Sequence, residues 1–465
     1  MKIPKNELLA RTCSGYVEHL LFVALMQRRP ADRVLSSLLR RNTSLKEKDR
    51  LLLKNTVDST FRWWGWLREL APVSWAWQER QSQEENHLIG QNPLPTRAAL
   101  WKWSPVLLAS QYLAWDHIPS TGQVLSAYAA GGQRKARWLW MSTPADPAKR
   151  MARVSRLFFR EKRPAEHWPS GRLIPGWSHD LIDCPEPLET LIRWLQKPST
   201  LWIRLQTEEE KGVFQELRKG GLRISKRVSL RGCIAAAVSG SRNIYQLPPY
   251  QKGRLEVQDL ASQCIGHICD PKPGERWWDA CAGAGGKSLL LAGLMRGRGQ
   301  LVSTDMRPYK LRDLRRRASR ADLHNIQTGP WDGGSVDKRR SGFDGVLVDA
   351  PCSGSGTWRR QPDARWSVVR EDVKRHAQLQ LQLLLHASRA VRSGGALVYA
   401  TCSIFAEENE EVVFAFLHEA GSFQLEPFRN PLDKSNTPGY VQIWPWTADT
   451  DSMFVARFRR NPNNV

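Results

Sequence analysis

The sequence predicts an α/β protein. Its C-terminal half reads as a doubly wound, mostly parallel sheet with an antiparallel edge hairpin, preceded by a small α/β segment and an all-helical N-terminal domain. Three observations carry this. From Gln251 onward, strand-like runs ending at Asp279, Asp305, about Thr328, Asp349 and Thr401 alternate with helix-like stretches such as Asp372–Arg392, the pattern of a parallel sheet with helices on both faces. Two last strand-like runs, Tyr440–Trp446 and Ser452–Arg459, lie close enough to pair as a hairpin. Before about Leu70 the apolar residues keep instead to three- and four-residue spacing, as in Tyr16, Leu20, Val23 and Ala24, which is helical.

Taken in order, Glu7 to Leu70 reads as helices. Pro30 stands at one helix start with Asp32 in the first turn, and Ser44 leads Leu45-Lys46-Glu47 like a capping box. Weaker helical signals run to about Tyr128. Prolines at 144, 147, 164, 169 and 175 make the stretch from Ser142 to His179 an irregular connection. A mixed segment follows, with helices at Glu186–Lys197 and Glu208–Gly220 and strands at Thr200–Leu205 and Arg231–Val238. The expected boundaries are 1–140, 141–180, 181–250 and 251–465, in keeping with 465 residues at about 150 per domain.

The formal net charge of +23 predicts a polyanionic partner, nucleic acid before anionic membrane. We find no run of about 18 apolar residues to span a bilayer, and Leu20–Met26 is too short and wrongly flanked for an export signal. Eight scattered cysteines exclude a disulfide scaffold and fit a reducing, cytoplasmic setting. Half of the aromatic residues are Trp, 21 against 8 Tyr and 13 Phe, mostly within apolar patterns that suit core filling.

The chemistry-bearing residues gather at strand ends. Asp279-Ala-Cys281-Ala282-Gly283-Ala284-Gly285-Gly286-Lys287-Ser288 is a glycine-rich strand-to-helix turn that lets backbone N–H groups approach a ligand. A phosphate-binding loop needs Gly where Cys281 stands, and a dinucleotide fingerprint needs Gly where Ser288 stands. A loop for S-adenosylmethionine tolerates both departures. Asp305 at the next strand tip is placed for ribose hydroxyls, and Asp332 after the third strand for an adenine amino group, although an isolated Asp is more often a cap or turn residue. Asp349-Ala-Pro-Cys352-Ser-Gly-Ser-Gly356 and Thr401-Cys402-Ser403, with Glu407, Glu408, Glu410 and Glu411 following, put two thiols on neighbouring strand ends. Of the basic residues, Arg312 to Arg320 is as readily a solvated face as an RNA contact, whereas Arg359 and Arg360 follow the Cys352 loop directly. Cys264, His267 and Cys269 match no common zinc spacing, so no metal is expected.

These motifs resemble the Nop/Sun (RsmB-type) family of RNA (cytosine-5) methyltransferases. The resemblance is carried by Asp279-x-Cys-Ala-x-x-Gly-Gly-Lys, Asp349-Ala-Pro-Cys-Ser-Gly-x-Gly, Thr401-Cys-Ser and Glu407-Glu408-Asn409-Glu410, with Gly253 and Val257-Gln258-Asp259 as lead-in. It covers 251–465 strongly. Thr200–Thr207, with Arg204, is similar to the family's small N-terminal subdomain, and the first hundred residues resemble a NusB-type helical RNA-binding domain. The family usually has Ala-Pro at Gly283-Ala284 and Asn at Gln206.

The resemblance implies a class I, Rossmann-like methyltransferase acting on RNA, ribosomal RNA first, as a monomer using S-adenosylmethionine. It implies that residues 281–287, Asp305, Asp332 and Asp349 hold that cofactor, and that Arg204, Arg359 and Arg360 touch RNA. Cys402 would be the nucleophile at C6 of cytosine, Cys352 would assist loss of the C5 proton and release, and Asp349 would hold the cytosine edge. Alternatives are a tRNA-directed enzyme of the same kind, a nucleotide hydrolase using Gly286-Lys287-Ser288, and a non-catalytic RNA-binding or assembly protein.

Overall fold

The computed structural model describes residues 5–71, 97–114, 144–158, 163–240, 242–335 and 342–462. Two compact units result: residues 1–179, 184–197 and 361–369 form one, and residues 180–183, 198–360 and 370–465 the other. The helical signals expected between Ala114 and Tyr128 lie outside the described residues.

The first unit is helical: α1 (Lys5–Leu25), α2 (Ala31–Arg41), α3 (Glu47–Leu67), α4 (Arg97–Ala114), α5 (Pro147–Phe158) and α6 (Leu188–Leu195). The expected capping box at Ser44 does not form. Ser44 Oγ donates to Asn42 Oδ1, and α3 starts at Glu47 with no side-chain cap. Nor is 142–179 irregular throughout. Pro147 opens α5 as its first residue, the one helical position where a missing N–H costs nothing. The stretch Leu8–Leu25 within α1 is long and apolar enough to cross a membrane by length and composition, contrary to the sequence expectation. Leu9, Cys13, Val17, Leu20, Leu21 and Ala24 are buried, and α1 packs on α3 and α4, so within this unit it is a core helix.

The short segment 361–369 is built into the same core. Arg365 is fully buried and donates to the carbonyls of Arg62, Leu173 and Leu195. Trp366 Nε1 donates to Phe61 O at 2.7 Å, and Asp363 Oδ2 accepts from Ala31 N at 2.8 Å. A residue more than three hundred positions away thus caps α2, which Pro30 leaves without a side-chain cap.

In the second unit, β1 (Leu201–Leu205), β2 (Arg223–Leu230), β3 (Cys233–Ser239) and β4 (Leu255–Val257) make an antiparallel sheet in the order β2-β3-β1-β4, with α7 (Glu210–Lys219) beside it. The large sheet comprises β5 (Arg276–Asp279), β6 (Gln300–Thr304), β7 (Ile326–Gly329), β8 (Phe343–Asp349), β9 (Val391–Thr401) and β10 (Phe423–Leu425). Past a two-stranded ribbon, β11 (Phe428–Arg429) with β12 (Asn436–Thr437), it is completed by β13 (Tyr440–Ile443) and β14 (Met453–Arg460). Its order is β10-β14-β9-β8-β5-β6-β7, parallel from β9 to β7. The hairpin forms, but β14 is not an edge. It runs antiparallel to β9 on one side, while β13 and β10 share its other side.

Both faces of this sheet are covered. One core gathers under α8 (Leu260–Cys269) and α9 (Gly286–Leu294), the other under α11 (Arg370–Ser388) and α12 (Glu410–Glu419), with α10 (Pro308–Arg320) following β6. Neighbouring Trp277 and Trp278 on β5 enter opposite cores, as strand alternation requires. A doubly wound sheet of this kind presents the C-terminal ends of its parallel strands as a binding rim.

Candidate active site

The rim is formed by the loops after β5, β6, β8 and β9. Gly283 and Gly285 take left-handed φ values of +54° and +86°, which costs glycine little. A Cβ on Gly285 would strike Leu314, whereas one on Gly283 would meet nothing within 4 Å. The loop therefore opens at Gly283 and closes down at Gly285, where α9 begins. Ala282 N is tied to Thr304 O, and Gly283 N donates to Asp305 Oδ2 at 2.9 Å. Arg307 grips Asp305 through its backbone N–H and its guanidinium. Burial pushes the Asp305 carboxyl up, but Arg307 and the Gly283 N–H outweigh it and hold the group below its ordinary range.

Asp279 is fully buried. Its Oδ2 accepts from Ser288 Oγ at 2.6 Å, while its buried Oδ1 has no partner. Burial, opposed by Ser288 and Lys287 and aided by Asp349 and Asp305, pushes this carboxyl up to about 7. An unmatched buried acceptor costs about 1–3 kcal/mol, and here it lies by a loop that opens into free space. Residues 281–287 with Asp279 and Asp305 thus fit S-adenosylmethionine, a ligand rich in donors and carrying positive charge. Cys281 has its thiol raised by burial. Asp332 is exposed, and its Oδ1 accepts from Gly334 N at 2.9 Å, closing a turn after β7.

The two thiols meet. Cys352 and Cys402, on the ends of paired strands β8 and β9, have their sulfurs 3.3 Å apart. The hydrogen bond shared with Cys352 lowers the Cys402 pKa below its ordinary value; burial and Asp349 oppose this, and Lys287 and Arg360 support it. Cys352 moves the other way, raised by the hydrogen bond it shares with Cys402, by burial and by the charges of Cys402 and Glu408. Lys287 Nζ donates to Asp349 Oδ2 at 2.7 Å. Burial disfavours its charge, but Asp349 more than compensates and its pKa rises.

A polar network fixes the two loops. Fully buried Glu408 accepts from Ser353 N at 2.8 Å, from Ser353 Oγ and from Gln380 Nε2. Ser355 Oγ accepts from Ile404 N at 2.9 Å and touches Ser403 Oγ. Gly356 N donates to Cys402 O, and Gly356 O accepts from Ser452 N, each at 2.9 Å. A Cβ at Gly356 would lie 2.2 Å from Ser452 O, so this close approach admits glycine alone.

The arginines divide. Arg360 keeps about half of its side chain exposed, pairs with Asp451 at 2.9 Å and acts on Cys402. Arg359, expected to touch RNA, is buried and donates to Pro198 O and Asp449 Oδ1. Arg204 is a second correction. It is buried on β1 between β3 and β4, its Nε donates to Gln258 Oε1, and burial lowers its pKa to about 10 despite Glu256. Arg204 sits on a strand buried on successive residues and Arg359 on a turn tied to Pro198 and Asp449; positive charge alone carried no sign of either. In the basic run on α10, Arg317 and Arg320 pair with buried Glu256, while Arg312, Arg315 and Arg316 are exposed. Cys264, His267 and Cys269 are buried in α8.

Sequence reasoning missed Arg307 and Glu256, named Gly356 in its motif without its packing role, and did not single out Glu408 from its acidic run. Arg307, two residues after Asp305, had a readable signal; the others are defined by partners far along the chain.

Residues 267–459 match the family model described as 16S rRNA methyltransferase RsmB/F. A probable ribosomal RNA small subunit methyltransferase B of Bacillus subtilis is 35% identical over 223 residues, 45% of this chain and 49% of that protein. The chain spans about half the length of the first curated relatives it matches. Among solved structures, PH0851 aligns over 99% of this chain and 100% of its own at a TM-score of 0.70 and 22% identity. NSun6 from Pyrococcus horikoshii with SFG aligns over 62% and 97% at a TM-score of 0.54 and 18% identity. Both likenesses concern the fold.

Proposed function

We propose that this chain, whose residues 267–459 are an RsmB/F-type methyltransferase domain, is an S-adenosylmethionine-dependent RNA (cytosine-5) methyltransferase acting on ribosomal RNA in the cytoplasm. The observation that carries the proposal is the thiol pair: sulfurs 3.3 Å apart, with Cys402 lowered and Cys352 raised. C5 of cytosine is a poor nucleophile because the ring is aromatic. A thiolate adding at C6 breaks that aromaticity and makes C5 enamine-like, which divides one hard step into easier ones.

Cys402 is the thiolate that adds. Asp349, held by Lys287, accepts from the exocyclic N4–H group of the cytosine and so fixes the ring with C6 toward Cys402. Residues 281–287, Asp279 and Asp305 would hold S-adenosylmethionine, which would supply the methyl group that C5 takes up. Once the Cys402 sulfur is bonded to carbon, its negative charge is gone, and with it the first cause that raised Cys352. Cys352 then becomes the more acidic thiol, able as thiolate to take the C5 proton so that the C5–H electrons expel Cys402. Arg360 binds the RNA backbone beside the site. The hydrolase reading loses its support because Lys287, which would hold a phosphate, is committed to Asp349.

The test is incubation with S-adenosylmethionine and a 5-fluorocytosine-substituted small-subunit rRNA transcript. The wild type should form a covalent adduct that survives denaturation, and Cys402→Ala should abolish it and cut methyl transfer on the order of a thousandfold or more. Cys352→Ala should accumulate an adduct on unsubstituted RNA. An adduct that persists in Cys402→Ala overturns the assignment.

A further inference from the structure

Away from the thiols, three aromatic side chains in the second unit are left exposed, Tyr245, Tyr309 and Phe414, and of these Tyr245 is linked by a chain of contacts to the glycine turn. Tyr245 shows 52% of its surface, on a short turn (Ile244–Gln246) that its neighbours hold rigid. Asn243 Oδ1 accepts from Tyr245 N at 3.1 Å, and Ile244 is buried in the core of the small sheet. With Ile244 pointing in, Tyr245 points out. Its ring sits edge-on to Tyr250, centroids 4.9 Å apart at 88°, and Arg320 lies over the Tyr250 ring at 3.9 Å. Arg320 and Arg317 share buried Glu256, and Arg317 Nη1 donates to Ala284 O of the cofactor loop at 2.7 Å.

An unbroken chain of contacts therefore runs from the glycine turn at the rim to an exposed ring. Burial and Tyr250 raise the Tyr245 phenol pKa, with Glu256 adding and the Arg317 and Arg360 charges opposing. Arg360, half exposed and paired with Asp451, is one of the charges that act on both Tyr245 and Cys402. A flat aromatic face beside a phosphate-binding cation is the pairing by which proteins hold unpaired nucleotides, with stacking worth about 1–3 kcal/mol per base.

We propose that Tyr245 is a stacking platform for an unpaired RNA base next to the target cytosine, with Arg360 engaging the adjoining phosphate. This rests on the RNA-methylation reading above. A target base must be unstacked before a thiol can reach C6, and a ring that takes up its neighbour holds the strand open.

The experiment compares full-length wild type, Tyr245→Ala and Tyr245→Phe on the small-subunit rRNA transcript. Tyr245→Ala should raise KM for RNA about tenfold or more, leave KM for S-adenosylmethionine unchanged and alter kcat far less. Tyr245→Phe should match wild type, because the ring and not the hydroxyl stacks. Ultraviolet irradiation of the wild-type complex should crosslink RNA to the peptide bearing Tyr245, a readout that needs no variant to fold. An unchanged RNA KM in Tyr245→Ala, equal rises in both KM values, or the absence of that crosslink overturns the inference. Wild type forming no adduct with 5-fluorocytosine RNA would instead sink the methyltransferase reading.

Discussion

The loops after β8 and β9 carry nearly the same chemistry and end in opposite states. Each places a cysteine at the tip of a buried parallel strand, and each follows it with serine, Cys352-Ser353 and Cys402-Ser403. Yet beyond the hydrogen bond they share, Cys402 feels Asp349 opposed by the cations Lys287 and Arg360, while Cys352 feels buried Glu408. The two sulfurs, 3.3 Å apart, are pulled in opposite directions, and the proposed mechanism takes Cys402 as the sulfur that attacks. Thiolate availability, not thiol identity, sets which sulfur can attack.

The largest test of this asymmetry is to move the loops apart. Gly356→Ala would force a Cβ to 2.2 Å from Ser452 O and 3.0 Å from Cys402 O. Steady-state kinetics should show a loss of about a hundredfold in kcat, as expected for reacting groups displaced by about an ångström. Overpacking of this kind costs about 1–3 kcal/mol, so a melting curve should show folding retained. Near-normal turnover would mean that the contact between the two loops does not govern the thiol pair.

A smaller effect should follow from neutralising one cation. Lys287→Met removes a charge that lowers the Cys402 pKa, so that pKa rises and less thiolate is present at neutral pH. The rising limb of the pH–rate profile should move upward, with less activity at pH 7 than wild type. Activity recovered at high pH separates this from loss of fold. A limb that stays in place would show that Cys352 alone controls the nucleophile.

The smallest effect belongs to Glu408→Gln. It removes one charge that raises Cys352 while keeping oxygen and nitrogen for Ser353 and Gln380. Loss of one good hydrogen bond, about 1 kcal/mol, limits the fall in rate to about fivefold. Cys352 in the Cys402→Ala background should alkylate with iodoacetamide at lower pH than when Glu408 is intact. No change in that profile would remove Glu408 from the account of the asymmetry.

Much of the catalytic unit was legible. The strands ending at Asp279, Asp305, Asp349 and Thr401 stand where expected because each is a short apolar run closed by a polar residue and a turn. β2 was missed because its residues alternate with exposed charges, Arg223, Lys226 and Arg227 among them, as suits the end of a sheet. α5 was missed because Pro147 reads as a breaker until its place at the helix start is known. In the candidate site, the cofactor loop, Asp305 and both cysteines were readable as residue types at strand ends. Arg359 and Arg360 were not separable: they are adjacent in sequence, and only the packing of Asp449 and Asp451 turns one inward and leaves the other at the rim.

The sequence by itself determined the chemical inventory and its order along the sheet, because backbone alternation and glycine turns are local properties. Tertiary structure alone decided that the two sulfurs meet, which arginine is left exposed and which glutamate is buried. Those properties are set by charge and solvent across a few ångströms, between residues 50 or more positions apart, and no local pattern records them.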